Sequence, residues 1–160
     1  MTIWGQKMIK GLVTSVGGGV GQSVVDSLSQ YSSRYHIIGL DISETVYARN
    51  QCSLFLISKR ITDVGYLEFI LNTCIENKVD ILIPGNDGEL ALLSDNKDLF
   101  ESNGIEVVVS PSKIVNSSRN KYEWYKDYSD LINIVPTVQL NNYLKAPNEY
   151  NEVTYPAIAK

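Results

Sequence analysis

The feature that most restricts this chain is a run of glycines set between two different hydrophobic patterns. Lys10–Val16 (KGLVTSV) reads as a β-strand and runs straight into Gly17, Gly18, Gly19 and Gly21. Val20, Val24, Val25, Leu28 and Tyr31 then recur at helical spacing, so a helix is expected to begin within the glycines. At such a junction glycine lets the backbone approach a ligand closely, and the free N–H groups of the helix start favour an anion.

The same alternation continues downstream. Tyr35–Asp41 (YHIIGLD) is almost continuously apolar, as a strand covered on both faces would be, and Ser53–Ser58 is a weaker third strand. Thr62 or Asp63 is expected to cap a helix with Leu67, Ile70, Leu71, Cys74 and Ile75 on one face. Val79–Ile83 is a fourth strand stopped by Pro84 and Gly85. Asp87 then opens a helix carrying Leu90, Leu93 and Phe100, Gly104 closes it, and Ile105–Val109 is the fifth strand. Strands alternating with helices imply right-handed parallel crossovers. The expected fold is α/β: a three-layer, Rossmann-like parallel sheet with helices on both faces.

After Pro111 the character changes. Six of the ten tyrosines lie beyond Asn120, with Pro136, Pro147 and Pro156. An aromatic helix over Lys121–Leu131 is expected, then irregular or short β structure, then a strand at Tyr155–Lys160. The division expected is 1–115 for the sheet domain and 116–160 for an incomplete second unit.

Composition narrows the function. A chain of 160 residues, 44% apolar and 20% charged, has room for one ordinary domain. A net charge of −4 argues against nucleic acid as a partner. No apolar run approaches the ~20 residues that cross a bilayer. MTIWGQKMIK lacks the apolar stretch of a signal peptide, so a cytoplasmic protein without a membrane partner is expected. Cys52 and Cys74 have neither metal nor redox spacing, and His36 has no histidine or cysteine near it, so no metal site is expected. Cys74 falls on the apolar helix face and reads as core.

Three readings of the glycine loop stay open. Asp41 ends the second strand twenty residues after Gly21, where a dinucleotide fold places its ribose-binding acid. The fingerprint is incomplete, however. In G-x-G-x-x-G register Gln22 takes the place of the third glycine; in the short-chain dehydrogenase register Ser15 replaces the first, and Tyr122–Lys126 has the right spacing in the wrong place. A different anionic ligand is favoured over NAD(P), and the third reading is a turn that only packs helix on strand. The turn Pro84–Leu90 presents a similar choice. Asn86, Asp87 and Glu89 would face the same crevice if the carboxyl edge of the sheet binds a ligand, but helix capping by Asp87, with Glu89 in the first turn, is the favoured role. Tyr122, Trp124, Tyr125 and Tyr128 have the means to stack a base, although buried packing is the commoner fate of such rings.

Taken in order, GLVTSVGGGVGQSVVDSL, YHIIGLDIS, VDILIPGNDGELALLS, IEVVVSPSKIV, RNKYEWYKD, IVPTVQL and YPAIAK resemble the start of ATP-grasp proteins, above all those similar to the carbamoyl-phosphate synthase large subunit. The resemblance covers residues 9–160. It implies a Rossmann-like pre-ATP-grasp domain that does not bind NAD, with its glycine loop on the acceptor-substrate side, followed by the truncated start of an ATP-grasp subdomain. Lys121 matches the family's "D-K" lysine, with Asn120 where aspartate is usual, and Lys160 matches the lysine of the "P-x-v-x-K" strand. Both positions contact ATP phosphates in the family. The sequence stops at Lys160, before the family's glycine-rich phosphate loop and metal-binding residues. The resemblance therefore implies the N-terminal part of an ATP-dependent carboxylate–amine or carbamoyl-phosphate synthase-like ligase. ATP and Mg2+ would serve the complete protein, and a small carboxylate or amine would be the acceptor. The 160-residue chain alone is expected to be inactive and to hold no cofactor tightly. A homodimer through residues beyond about Asn120 is expected. The competing readings are an NAD(P)-binding module and an interaction domain that has lost its site.

Overall fold

The structure is a computed structural model and describes residues 7–135, 137–139 and 144–145. It separates into two compact units, Met1–Ser112 and Lys113–Lys160.

The first unit is built on five parallel strands: β1 (Ile9–Val13), β2 (Tyr35–Asp41), β3 (Leu54–Ile57), β4 (Ile81–Ile83) and β5 (Glu106–Val107), in the order β3-β2-β1-β4-β5. Between them run α1 (Gly19–Ser29), a 3₁₀ turn at Tyr47–Gln51, α2 (Tyr66–Asn77), α3 (Asp87–Asp95) and α4 (Lys97–Glu101). The three-layer α/β architecture expected from the sequence is what the chain forms.

The period-two alternation of each strand sorts its side chains into two cores. On one face Leu12, Ile38, Leu40 and Leu82 pack with Ile70 and Cys74 of α2, Leu93 of α3 and Phe100 of α4. On the other, Val13 and Ile37 pack with Val25 of α1 and with Val16 and Ala48. Because both faces are covered, β2 reads as an almost continuous apolar run.

Several boundaries differ from the sequence expectation. β1 stops at Val13, because the chain turns at Ser15, whose φ is 50°. Val20 and Tyr31, expected on the apolar side of the first helix, are exposed, and Tyr31 lies beyond the helix end. The cap of α2 is Gly65, not Thr62 or Asp63. The Asp63 carboxylate instead accepts from the Arg60 backbone N–H at 2.8 Å, forming a turn before the helix. Ile75 is exposed, while Tyr66 and Thr73, which the spacing did not single out, are buried. The single helix expected after Asp87 is two, broken at Asn96.

α5 (Ser112–Arg119), which the sequence pattern did not suggest, begins at the boundary between the units, and α6 (Lys121–Tyr128) ends three residues sooner than expected. Within α6 the rings of Trp124 and Tyr128 pack with centroids 5.3 Å apart. Residues 137–139 are irregular, and the expected strand at 155–160 lies outside the described residues.

Candidate functional site

From β1 the chain moves to β2 on one side, and from β3 it crosses to β4 on the other. Between the carboxyl ends of β1 and β4 the strand order therefore reverses, and a crevice opens at such a point in parallel sheets. The glycine turn Thr14–Gly21 and the turn Pro84–Asp87 both leave the sheet there. They meet through the backbone and one side chain: Thr14 N–H donates to Ile83 O at 3.1 Å, and Gly85 N–H donates to the Thr14 hydroxyl, Oγ1, at 3.0 Å. A Cβ on Gly85 would stand 2.1 Å from Thr14 O, and one on Gly21 would stand 2.4 Å from Ser15 O, so only glycine admits this approach. Gly17, Gly18 and Gly19 are exposed along the rim.

Asp41 does not point toward a ribose. It is buried, and each oxygen already accepts a backbone N–H: Oδ2 from Gly17 at 2.7 Å and Oδ1 from Ser43 at 3.0 Å. Val46 Cγ1 closes the same corner, 2.7 Å from where a Cβ on Gly17 would lie. The carboxylate ties the glycine turn to the end of β2.

At the other turn the roles are redistributed. The N-cap of α3 is Asn86, not Asp87, with Oδ1 accepting from Gly88 N–H at 2.7 Å. Asp87 is the first residue of the helix and is exposed. Glu89 is not a solvated first-turn acid. It is 3% exposed and accepts hydrogen bonds from Thr14 Oγ1 and Tyr66 OH, with a longer 3.4 Å contact from Ser15 Oγ. Burial, followed by the hydrogen bond to this carboxylate, pushes the Tyr66 phenol well above its ordinary pKa, so it stays a donor. Capping alone, the favoured sequence reading of Glu89, is thereby corrected. In the sequence Thr14 and Ser15 read only as part of the glycine motif and Tyr66 as part of no motif, and only the fold brings the three to Glu89.

The remaining candidates sort simply. Lys121 is exposed at the start of α6, its ammonium donating to Ser118 O at 2.8 Å, while the Asn120 side chain accepts from the N–H groups of Tyr122 and Glu123. Lys160 lies outside the described residues. Cys52 donates to Ala48 O at 3.2 Å, and burial raises its thiol to about 11; burial raises Cys74 to about 12. Neither is a nucleophile at neutral pH. Among the described residues no three of His, Cys, Asp and Glu gather to hold a metal.

Residues 12–108, which take in both turns, the end of β1 and strands β2 to β5, match the family described as PylC-like, N-terminal domain. The chain belongs to that family. The resemblance of its sequence to the pre-ATP-grasp domain of ATP-grasp proteins is borne out. No curated protein shows significant similarity to the PylC-like chain. Solved structures do. N5-carboxyaminoimidazole synthetase from Staphylococcus aureus, solved with ADP, is 18% identical with a TM-score of 0.62, over 90% of this chain and 37% of that one. The biotin carboxylase domain of the Hydrogenobacter thermophilus 2-oxoglutarate carboxylase, solved with MgADP, ADP and bicarbonate, is 18% identical with a TM-score of 0.63, over 94% and 34%. Glycinamide-RNase-transformylase T from Mycobacterium tuberculosis is 12% identical with a TM-score of 0.59, over 89% and 39%. At these identities the likeness establishes the fold. The PylC-like chain spans less than two fifths of the length of each.

Proposed function

We propose that this chain is the N-terminal part of an ATP-dependent carboxylate–amine, or carbamoyl-phosphate synthase-like, ligase. The crevice between the glycine turn and the β4 turn lies on the acceptor-substrate side, with Gly17, Gly18, Gly19 and Gly21 on one wall and Asn86 and Asp87 on the other. ATP enters with Mg2+ as substrate, and Lys121 and Lys160 contact its phosphates as compact cationic donors. The metal's ligands belong to the part of the enzyme beyond this chain. The observation that carries the reading is the family match across residues 12–108. The engaged Asp41 supports it, because that carboxylate is buried and already serves two backbone N–H groups of the chain itself.

The test is kinetic. In the full-length enzyme, Lys121→Ala or Lys160→Ala removes a charge-assisted contact worth about 1.5–3 kcal/mol, so the ATP KM should rise at least tenfold or turnover fall comparably. Unchanged ATP kinetics in both variants would overturn the assignment of the lysines. Calorimetric titration with NAD(H) and NADP(H) should show no saturable binding; micromolar binding would restore the dinucleotide reading.

No helix among the described residues is long and apolar enough to cross a membrane, and a cytoplasmic location belongs to this proposal. So does the homodimer through residues beyond about Asn120, where Leu131, Ile132 and Val135 are exposed. Light scattering should give a dimer for the full chain and a monomer for a chain ending near Ser118. A monomeric full chain, or a shortened chain that still dimerises, would refute that interface.

A further inference from the structure

We propose that Glu89 is the positioning residue of the crevice, a buried carboxylate that holds the glycine turn in its strained shape by gathering hydroxyl donors from two other elements. This concerns the geometry of the crevice and holds whichever acceptor the proposed ligase uses.

Three observations converge on it. Ser15 is one of two non-glycine residues with positive φ among the described residues, at 50°, a conformation that L-residues adopt only when their surroundings impose it. Its neighbours on the chain are fixed. Thr14 Oγ1 donates to Glu89 while accepting from Gly85 N–H, so a single hydroxyl joins the carboxylate to both walls. Ser15 Oγ reaches Glu89 at 3.4 Å. From the far side Tyr66, the first residue of α2, donates to the same carboxylate.

The bonds that follow in the chain depend on Ser15. Its carbonyl accepts from Gly18 N–H at 2.9 Å, Val16 N–H donates to Leu40 O at 3.1 Å, and Gly17 N–H donates to Asp41. All three bonds require Ser15 to keep its left-handed turn. Without Glu89 to hold Thr14 and Ser15, the serine would relax toward negative φ and these amides would open. An unpaired buried hydroxyl is also costly, so the donors have no equivalent arrangement to fall into.

Amide hydrogen exchange on the 160-residue chain, read residue by residue by NMR, tests this. Glu89→Gln keeps the shape but turns an N–H2 toward one of the hydroxyls. The expected result is retained far-UV circular dichroism and retained protection of Ile38 and Leu40 in β2. Exchange at Val16, Gly17, Gly18 and Gly85 should rise at least about tenfold. Adding Ser15→Gly, which permits positive φ without restraint, should restore protection at Gly17 and Gly18 in the double variant. A merely structural contribution would not give that rescue. Unchanged exchange at these four amides, a rise spread evenly over β2 as well, or failure of the rescue would each overturn the proposal. If Glu89→Gln does not fold, Tyr66→Phe carries the test, because it deletes one donor and leaves the carboxylate. The same local rise supports the proposal, and no local rise overturns it.

Discussion

Gly19 and Gly21 sit two residues apart in the first turn of α1, and a propensity argument treats them alike. Replacing either by alanine removes glycine's excess backbone entropy, which should stabilise a helix by up to about 1 kcal/mol. The structure separates them. A Cβ on Gly19 would meet nothing within 4 Å, whereas one on Gly21 would stand 2.4 Å from Ser15 O, 2.8 Å from Ser15 C and 2.9 Å from Thr14 O. Real Cβ atoms do not approach backbone that closely, so something must move. The neighbours cannot easily give way, because Thr14 N–H is bonded to Ile83 O and Ser15 O to Gly18 N–H.

Overpacking of this kind costs about 3 kcal/mol, and subtracting the propensity gain leaves a net loss of about 2 kcal/mol for Gly21→Ala. For Gly19→Ala only the propensity gain remains, about 0.5–1 kcal/mol. The two variants therefore differ in sign. Urea unfolding at neutral pH should move the midpoint down for Gly21→Ala and slightly up for Gly19→Ala, with the denaturant slope unchanged. Equal midpoints, or a Gly21→Ala variant more stable than Gly19→Ala, would show that the glycine turn is not packed against the sheet as described.

Lys78 ends α2 at φ 54°, its N–H donating to Ile75 O at 3.1 Å; Lys78→Gly should raise stability by about 0.5–1 kcal/mol, the left-handed strain relieved less glycine's entropy cost, as read by thermal unfolding. Asp80 is held below the usual carboxylate range, first by the Lys10 backbone N–H and then by the Lys7 ammonium. Its contribution is therefore present above the unfolded pKa of about 3.9 and lost as pH falls through the lower folded value, so Asp80→Asn should flatten the acid limb of urea midpoints taken between pH 6 and pH 3. Asn120→Ala should cost α6 about 1 kcal/mol of local stability, seen as faster exchange of the Tyr122 and Glu123 amides, while Asn120→Asp keeps the cap and should be nearly neutral.

The sheet was legible because β1 and β2 are covered on both faces. The run in β2 was long enough to read, and that strand matches its expected range. The ends of elements were not, because tertiary contacts set them. Ser15 breaks the reading of β1 by turning at positive φ, which a serine does not announce. Asn96 divides a helix whose apolar spacing from Leu90 to Phe100 looked continuous. Glu89 was placed correctly on its helix but given the wrong role, since an acid in a first turn reads as a partner of the helix dipole. Its real partners lie 75 and 23 residues away, at Thr14 and Tyr66. No local pattern encodes such a meeting; it follows from bringing β1, α2 and α3 to one edge.

That edge also explains why a glycine-rich strand–helix turn need not be a nucleotide clamp. In a dinucleotide fold the acid at the end of β2 must be free to accept from a ribose, and the first wall of the turn must be open beside it. Here the buried acid is engaged internally: Asp41 accepts from Gly17 and Ser43, and Val46 fills the corner against Gly17. The backbone donors nearest β2 are thus already answered by a carboxylate. The turn is instead braced from the opposite side, through Thr14 and Glu89, against the β4 turn. Thr14 and Glu89 thus join the glycine turn and the β4 turn into one braced edge of the sheet.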